Sequence, residues 1–315
     1  MTGASALWVI GPDRTEIRAA AHGTGSQVET LFTGISRGTE RLVLSGRIPD
    51  SEYDRMRAPF QQGDFPFPVK YGYSNVGLAT EGAYAGQNVF ALFPHQDSFR
   101  LPDDALIPLP QNLPPERAVL AANMETALNI LWDSHAGAGD RITIIGAGLV
   151  GLLVAFLAAR LPGAEVTVID TLPARASLAR SFGCDFAAPE AAPTEQDVVI
   201  HTSASQAGLV QALQIAGPQA TVVEASWHGA HDVALPLGAA FHSQRLRIIS
   251  SQVGAIPPDR APRWNYRRRL TKALDLLVVD RLDALISGQT AFADIAAAYP
   301  RILADPETLC HRITY

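Results

Sequence analysis

A glycine-rich segment between two apolar runs constrains the fold of this chain more than any other feature. The run Ile142–Ile145 has the composition of a buried strand, and Gly146, Gly148 and Gly151 follow it at the spacing G-x-G-x-x-G. An apolar helical stretch then continues to Arg160. Glycine at these positions allows a sharp turn, close approach of a ligand to the backbone and tight packing of helix on strand. The segment is therefore typical of a βαβ unit that binds the pyrophosphate of a dinucleotide.

Neighbouring residues extend the expected dinucleotide site. The helix start at Leu149 and Val150 offers backbone N–H groups and a partial positive charge to the phosphates. A second apolar run, Glu165–Ile169, ends on Asp170. That carboxylate is expected to accept hydrogen bonds from the adenosine ribose and to repel a 2′-phosphate, which favours NAD over NADP as the cofactor. Arg175 is expected to stack on the adenine, with a solvated helix face as the alternative.

Two later residues complete the expected cofactor site. Thr202 follows a strand predicted at 197–201, and His228 follows a strand predicted at 220–224. The carboxyl ends of parallel strands line the ligand crevice of such sheets, so both residues, together with His201, are expected to face it. An ordinary loop histidine is the alternative for His228.

Composition narrows the class of protein. The 315 residues suffice for about two domains, and a hydrophobic content of 47% with 18% charged residues favours a large packed core over disorder. The net charge of −6 argues against a nucleic-acid partner. Ile142–Ala159 is long and uncharged, but its glycine spacing favours a strand, turn and helix over a membrane span. We see no secretory signal, so a cytoplasmic protein with reduced Cys184 and Cys310 is expected.

The pattern of elements changes along the chain. Up to about residue 110, short apolar runs alternate with Gly- and Pro-rich turns, which predicts a β-rich region. From 141 to 250, strands alternate with helices, which predicts an α/β domain with a doubly wound parallel sheet. Helical stretches are expected at 115–135, 265–279 and 292–303, and a short strand at 310–315.

Several segments carry a resemblance to a known family. They are Gly34–Glu40 (GISRGTE), Pro68–Gly77 (PVKYGYSNVG) and Gly146–Gly151 (GAGLVG) followed by Asp170. On these motifs the chain resembles the medium-chain dehydrogenase/reductase superfamily, the alcohol-dehydrogenase-like group, over essentially its whole length. Within that group, Ser36–Leu42 and Phe241–Gln252 look most similar to the bacteriochlorophyllide hydroxyethyl dehydrogenases and their uncharacterised relatives.

The resemblance implies a fold and a domain division. A GroES-like β-barrel domain would comprise residues 1–120 and be completed by 259–315, and a Rossmann dinucleotide-binding domain would comprise 121–258. The family pattern also joins two Rossmann sheets edge to edge, and Arg245–Gln252 looks like the last strand of the sheet. A homodimer is therefore expected.

The sequence departs from the family at its zinc site. Ser36 stands where the resemblance places a cysteine ligand, Tyr73 stands where it places a histidine, and Asn123–Thr126 contains no cysteine. Hydroxyl groups are poor zinc ligands, so a zinc-less member with no bound metal is expected. An unusual metal site is the alternative, although the spacing of its candidate ligands does not favour it. These ligands are Glu40, Glu125, His95 and His228.

Without zinc, a substrate carbonyl still needs a hydrogen-bond donor. Tyr73 is the leading candidate, with a core tyrosine as the alternative, and Ser36 and Thr39 are candidates to donate or relay a proton, with turn chemistry as the alternative. Glu125, inside an apolar helix, either joins a polar network or touches substrate or cofactor. Arg37 either pairs with a substrate carboxylate or cofactor phosphate, or forms a surface ion pair with Glu40.

These residues predict a zinc-independent oxidoreductase that transfers hydride between a nicotinamide cofactor and a carbonyl, an alcohol or an activated double bond. A quinone or enoyl reductase is the alternative within enzymes. A non-catalytic NAD-binding redox sensor is the alternative outside them. The expected partner is a small molecule, with a bulky ring compound suggested by the resemblance, and neither a nucleic acid nor a membrane.

Overall fold

The structure is a computed structural model that describes residues 3–315, and the chain divides into two compact units. Unit 1 comprises the residues up to Ala122 together with Leu270–Tyr315, and unit 2 comprises Asn123–Arg269. The second boundary falls later than the expected residue 259. The reason is Arg269, whose guanidinium is buried in unit 2 and donates to Oε1 of Glu125 at 3.0 Å and to Oδ1 of Asn129 at 2.5 Å.

The chain builds seventeen strands and nine α-helices within residues 3–315. In chain order they are β1 (Ala4–Gly11), β2 (Arg14–Ala20), β3 (Ser26–Ser36), α1 (Arg37–Leu44), β4 (Gln62–Gly63), β5 (Val69–Lys70), β6 (Asn75–Ala79), β7 (Asn88–Ala91), β8 (Ser98–Leu101), β9 (Ile107–Pro108), α2 (Pro115–Ala118), α3 (Ala121–Ser134), β10 (Arg141–Ile145), α4 (Leu149–Ala158), β11 (Glu165–Ile169), α5 (Ala176–Ser181), β12 (Asp185–Ala187), β13 (Gln196–His201), α6 (Gln206–Ile215), β14 (Ala216–Glu224), α7 (Ala240–Ser243), β15 (Arg247–Ser250), α8 (Tyr266–Leu276), β16 (Ile286–Ala291), α9 (Ile295–Ala304) and β17 (Cys310–Thr314).

Unit 2 is organised around one parallel sheet. Its strand order is β12-β11-β10-β13-β14-β15, and every neighbouring pair is parallel. The order reverses between β10 and β13, which is the switch point at which such sheets bind ligands beyond the carboxyl ends of their strands. Central side chains such as Ile144, Val168, Val199 and Val222 have no exposed surface, as expected for strands covered on both faces. The predicted doubly wound α/β sheet is confirmed.

Unit 1 contains two mainly antiparallel sheets. One has the order β2-β1-β5-β4, and the other has the order β16-β17-β3-β6-β7-β9, with β8 also paired to β3. Strand β17 lies antiparallel to β3, with Cys310 opposite Ser36. The C-terminal segment therefore adds strands to the sheet that the N-terminal segment begins. This β-rich architecture is the GroES-like part of the predicted fold.

Two parts of unit 1 differ from the sequence-based expectation. Strand β2 was not predicted, and the residues after Ser36, for which turn chemistry was considered, form helix α1. The helix forms because Glu40, Val43 and Leu44 lie on one face and are all buried. The expected helix at 115–135 is divided into α2 and α3. Within residues 3–315, no helix combines the length and the apolar character needed to cross a membrane.

The packing of α4 makes a prediction about stability. A Cβ atom at Gly151 would lie 1.9 Å from the carbonyl oxygen of Gly146, far inside van der Waals contact. Gly151→Ala is therefore expected to lower the free energy of unfolding by about 1–3 kcal/mol, because the helix must move away from the strand. Urea denaturation measures the change.

Gly148→Ala is the matched control for that substitution. A Cβ at Gly148 would meet no heavy atom within 4 Å, and the residue has an ordinary φ of −73°. Its free energy of unfolding should stay close to that of the parent. Equal destabilisation by the two substitutions would contradict the packing argument.

Candidate functional site

The turn between β10 and α4 is shaped by two glycines that no other residue could replace without strain. Gly146 has a φ of +109°, in the left-handed region, and a Cβ there would lie 2.9 Å from the backbone nitrogen of Ser203. Gly151 packs directly on the carbonyl of Gly146. The hydroxyl of Thr202 donates to that same carbonyl oxygen at 3.0 Å, so the end of β13 supports the turn.

The space over the start of α4 fits a phosphate group. Gly148 is the N-cap of α4, and the space where its Cβ would stand is open within unit 2. The first-turn N–H groups of Leu149, Val150 and Gly151 have no intrahelical acceptor, because the helix begins there. An anion at this point would meet free donors and the positive end of the helix dipole. The residues present therefore fit a dinucleotide pyrophosphate.

Asp170 is fixed beside the glycine turn. Its Oδ2 accepts from the backbone nitrogen of Ala147 at 2.6 Å, and its Oδ1 accepts from the backbone nitrogen of Leu172 at 2.8 Å. A carboxylate has about four acceptor positions, so two remain for a ligand. The residue thus joins the end of β11 to the loop that precedes α4, a link that the sequence did not reveal. Arg175 follows in a short helical turn before α5.

The ends of β13 and β14 hold a cluster of polar side chains. His201 and Glu224 are register partners in the sheet, and Nδ1 of His201 lies 2.6 Å from Oε2 of Glu224. Burial would raise the pKa of Glu224, but the hydrogen bond and charge of His201 and the bonds from Ser226 lower it below its ordinary value. His228 lies four residues beyond the end of β14, with its Nε2 3.5 Å from Glu224. Glu224 was not among the residues expected from the sequence, although it ends a strand as His201 does.

Unit 1 brings together three of the residues expected to act in catalysis. Ser36 ends β3, Thr39 lies in the first turn of α1, and Tyr73 lies in the segment between β5 and β6. The hydroxyls of Ser36 and Thr39 lie near the Tyr73 phenol and act to lower its pKa. Burial of the phenol, followed by the nearby charge of Glu40, raises the pKa of Tyr73 to about 12. Tyr73 is therefore a protonated donor at neutral pH.

A buried carboxylate organises the surroundings of these residues. Glu40 has no exposed surface and accepts hydrogen bonds from the backbone nitrogen of Ser36 at 2.7 Å and from the hydroxyl of Tyr299 at 2.5 Å. Its Oε2 also lies 3.0 Å from Nε2 of His95. The alternative in which Glu40 forms a surface ion pair with Arg37 is wrong, because Glu40 is in the interior. Tyr299 was not predicted as a site residue because the sequence of its helix has only the pattern of an ordinary amphipathic helix.

Glu125 lies in a different environment from the other expected catalytic residues. Its side chain belongs to α3 in unit 2, is 5% exposed, and accepts from Nε of Arg269 at 3.0 Å. Burial raises the pKa of Glu125, and the charge and hydrogen bond of Arg269 oppose this shift. Of the two roles considered, the structure supports the one in a polar network.

The positions that would hold zinc in the resembled family carry poor ligands. Ser36 and Tyr73 carry hydroxyl groups, and no cysteine lies in Asn123–Thr126. Cys310, opposite Ser36 in the sheet, is fully buried, and burial raises the pKa of its thiol to about 12. A thiol must lose its proton to bind a metal, so this environment does not suit a zinc ligand.

Comparison with known proteins supports this description of the fold. D-guloside 3-dehydrogenase from Escherichia coli is 24% identical over 205 residues, a match that spans 61% of this chain and 59% of that protein. The crystal structure of L-idonate 5-dehydrogenase from Escherichia coli superposes over 100% of this chain and 99% of its own, with a TM-score of 0.79 and 14% identity. An alcohol dehydrogenase from E. coli complexed with NADH superposes over the full length of both chains, with a TM-score of 0.79 and 15% identity. No protein-family model matches the chain.

The chain therefore has the fold of the medium-chain dehydrogenases/reductases, with a GroES-like unit and a Rossmann unit. The matched segment covers less than two thirds of the curated relative named above. The similarities support the prediction of a nicotinamide-dependent dehydrogenase or reductase of the medium-chain type.

The open space at Gly148 yields a prediction about binding. A methyl group at this position occupies the space that a pyrophosphate would fill, while it disturbs no protein atom. Gly148→Ala is expected to weaken NADH binding by about tenfold or more while the thermal midpoint stays near that of the parent. Titration of NADH fluorescence measures the affinity. Unchanged affinity in a well-folded Gly148→Ala protein would contradict the assignment of this space to the pyrophosphate.

Proposed function

We propose that this protein is an NAD(H)-dependent oxidoreductase that interconverts an alcohol and a carbonyl compound, without zinc at the positions where the resembled family holds it. The observation that carries the proposal is the glycine turn of unit 2. It combines an open anion position at Gly148, free N–H groups at the start of α4 and a fixed carboxylate at Asp170. These are the features that a dinucleotide requires at the switch point of a parallel sheet.

Each unit has a distinct role in the proposal. A bound nicotinamide supplies the hydride, or accepts it in the reverse direction. Unit 2 binds the dinucleotide through the first turn of α4 and through Asp170. Unit 1 supplies the proton donor for the substrate oxygen. In the reduction, the carbonyl carbon would gain a hydride from the bound NADH, which would be oxidised to NAD⁺, and the carbonyl oxygen would gain a proton from Tyr73.

Tyr73 is the proposed proton donor. Its hydroxyl is protonated at neutral pH and lies near those of Ser36 and Thr39. A hydroxyl that donates to the carbonyl oxygen stabilises the negative charge that develops there during hydride addition. In this proposal Ser36 and Thr39, whose hydroxyls lie near the phenol, relay a proton back to it once Tyr73 has given one up. Glu40, through the backbone nitrogen of Ser36, positions this group of side chains.

The absence of zinc is proposed from the donor atoms at the family's ligand positions. Ser36 and Tyr73 offer hydroxyl groups, and neutral hydroxyls are weak ligands for this metal. A neutral donor polarises a carbonyl less than a metal ion does. Simple alcohols should therefore react slowly, and conjugated carbonyl compounds should react faster.

The similar proteins suggest a class of substrate. The proteins similar to this chain act, by their names, on D-guloside and on L-idonate, which favours a polyhydroxylated substrate. A quinone or enoyl reductase also needs only a hydride and a proton source, and a redox sensor needs only the dinucleotide. Steady-state assays with polyols, sugar acids, aldehydes, quinones and enones separate these functions. NADH binding without turnover on any substrate of the panel would favour the sensor.

The cofactor preference is tested at Asp170. Its charge should repel the 2′-phosphate of NADPH, so the parent should bind NADH more tightly. Asp170→Asn removes the charge but keeps an oxygen that can accept from the backbone nitrogen of Ala147. The ratio of NADH affinity to NADPH affinity should therefore fall by about tenfold. Calorimetry measures both affinities, and Asp185→Asn is the control because Asp185 is exposed on the neighbouring strand β12. A parent that binds NADPH as tightly as NADH would contradict the role of Asp170.

The proton donor is tested at Tyr73. Tyr73→Phe removes the hydroxyl and is expected to slow the chemical step by roughly ten- to a thousandfold, while NADH affinity is nearly unchanged. Stopped-flow measurement of NADH oxidation with the best substrate of the panel gives the rate. Tyr71→Phe is the control, because Tyr71 packs edge-on against Tyr73 with ring centroids 5.9 Å apart and is not a proposed donor. A Tyr73→Phe protein as fast as the parent would exclude this residue.

A further inference from the structure

Three metal-ligating side chains converge in unit 2 at the carboxyl ends of β13 and β14. His201, Glu224 and His228 each offer one ligand atom, and these atoms all lie within 4.8 Å of one another. Oε2 of Glu224 is 2.6 Å from Nδ1 of His201 and 3.5 Å from Nε2 of His228. Within residues 3–315, no other group of three histidine, cysteine or carboxylate side chains is gathered so closely.

One nitrogen of this cluster lacks a hydrogen-bond partner. Nε2 of His228 is buried, yet it neither donates to nor accepts from any group in the described chain. A buried polar atom without a partner costs free energy, and protein interiors rarely contain one unless water, a ligand or an ion satisfies it. The unpartnered nitrogen faces a carboxylate, which is the arrangement that a bound cation would complete.

Surrounding hydroxyl and amide groups hold two of the ligands in position. Nε2 of His201 hydrogen-bonds Oγ of Ser203 at 2.7 Å, so this nitrogen can keep its proton when Nδ1 exchanges its own for an ion. Oε1 of Glu224 accepts from the backbone nitrogen of Ser226 at 2.7 Å, which leaves Oε2, now hydrogen-bonded to Nδ1 of His201, to bind an ion in place of that hydrogen bond. Histidine ligands usually donate their other ring nitrogen to an oxygen, and ligating carboxylates are usually hydrogen-bonded in turn.

The cluster is closed on one side and accessible on the other. The His201 side chain has no exposed surface, whereas those of Glu224 and His228 remain 15% and 17% exposed. An ion could therefore enter from the side of Glu224 and His228. Two imidazoles and one carboxylate are a donor set that suits Zn²⁺, Co²⁺ and Ni²⁺ better than Mg²⁺ or Ca²⁺.

We propose that His201, Glu224 and His228 form a binding site for one divalent transition-metal ion in the nucleotide-binding unit. Tetrahedral coordination at ordinary bond lengths separates ligand atoms by roughly 3.4 Å. The Glu224–His228 pair is already at that spacing, and the Glu224–His201 pair needs to open by less than about 1 Å. Three protein ligands leave a fourth coordination position open to water or another oxygen ligand. This site differs in residues and in unit from Ser36 and Tyr73, where the resembled family places its zinc.

The test measures metal binding directly and needs neither cofactor nor turnover. Protein freed of metal by chelation and dialysis is titrated with Zn²⁺ by calorimetry and with Co²⁺ by visible absorption, which reports tetrahedral coordination. The parent is expected to bind one ion per chain. His228→Gln and Glu224→Gln should each weaken binding by at least about tenfold. His231→Gln, an exposed histidine three residues beyond His228, is the matched control and should bind like the parent.

Two results would overturn the proposal. The first is a parent protein that binds no ion. The second is equal binding by the parent and by His228→Gln, because the ion would then lie at another place. Absence of binding would indicate that the three side chains form only a hydrogen-bonded network. NADH titration of the same preparations separates this proposal from the proposed enzymatic function. If a variant loses metal binding but still binds NADH, the result supports the metal site and leaves the proposed enzymatic function unaffected.

Discussion

The contact between Gly151 and the carbonyl group of Gly146 is the constraint on which the rest of unit 2 depends. It leaves no room for a side chain between the first turn of α4 and the carbonyl of Gly146, the residue that follows β10. Thr202 bonds the same carbonyl, and Asp170 holds the next residue of the turn, so three neighbouring strands are tied to one loop. Gly148, the N-cap of α4, lies within the same turn, and no heavy atom would lie within 4 Å of a Cβ atom there.

Unit 1 depends on a different kind of interaction. A carboxylate without exposed surface is costly unless every oxygen is satisfied, and Glu40 is satisfied by a backbone amide, a histidine and a tyrosine. These partners come from β3, from the loop before β8 and from α9. The network therefore fixes the junction of β3 and α1, and with it the positions of Ser36 and Thr39 beside Tyr73.

Much of the candidate site could be predicted because local sequence decides it. The glycine spacing predicted a turn at Gly146 and Gly148, and the apolar run predicted a strand that ends before Asp170; the structure contains both elements, and their role in binding a cofactor stays a prediction. The motif around Ser36 and the motif around Tyr73 named residues that the structure brings together. The polar network of Glu40 could not be predicted, since its members are far apart in sequence and have no shared periodicity. A helix at Arg37–Leu44 was missed for a related reason: its stability comes from a buried face rather than from strong local signals.

The sequence by itself determined the parallel sheet, the glycine turn and the alternation of strands and helices that gives unit 2 a doubly wound α/β fold, because hydrophobic period and glycine spacing act over a few residues. Only the tertiary structure decided which strands are neighbours and at what register. That register sets His201 opposite Glu224 and Cys310 opposite Ser36. It also decided that Arg269 belongs to unit 2 and that Glu40 is interior. Such pairings depend on the free energy of packing segments that are distant in sequence, and the sequence of a single segment does not determine that free energy.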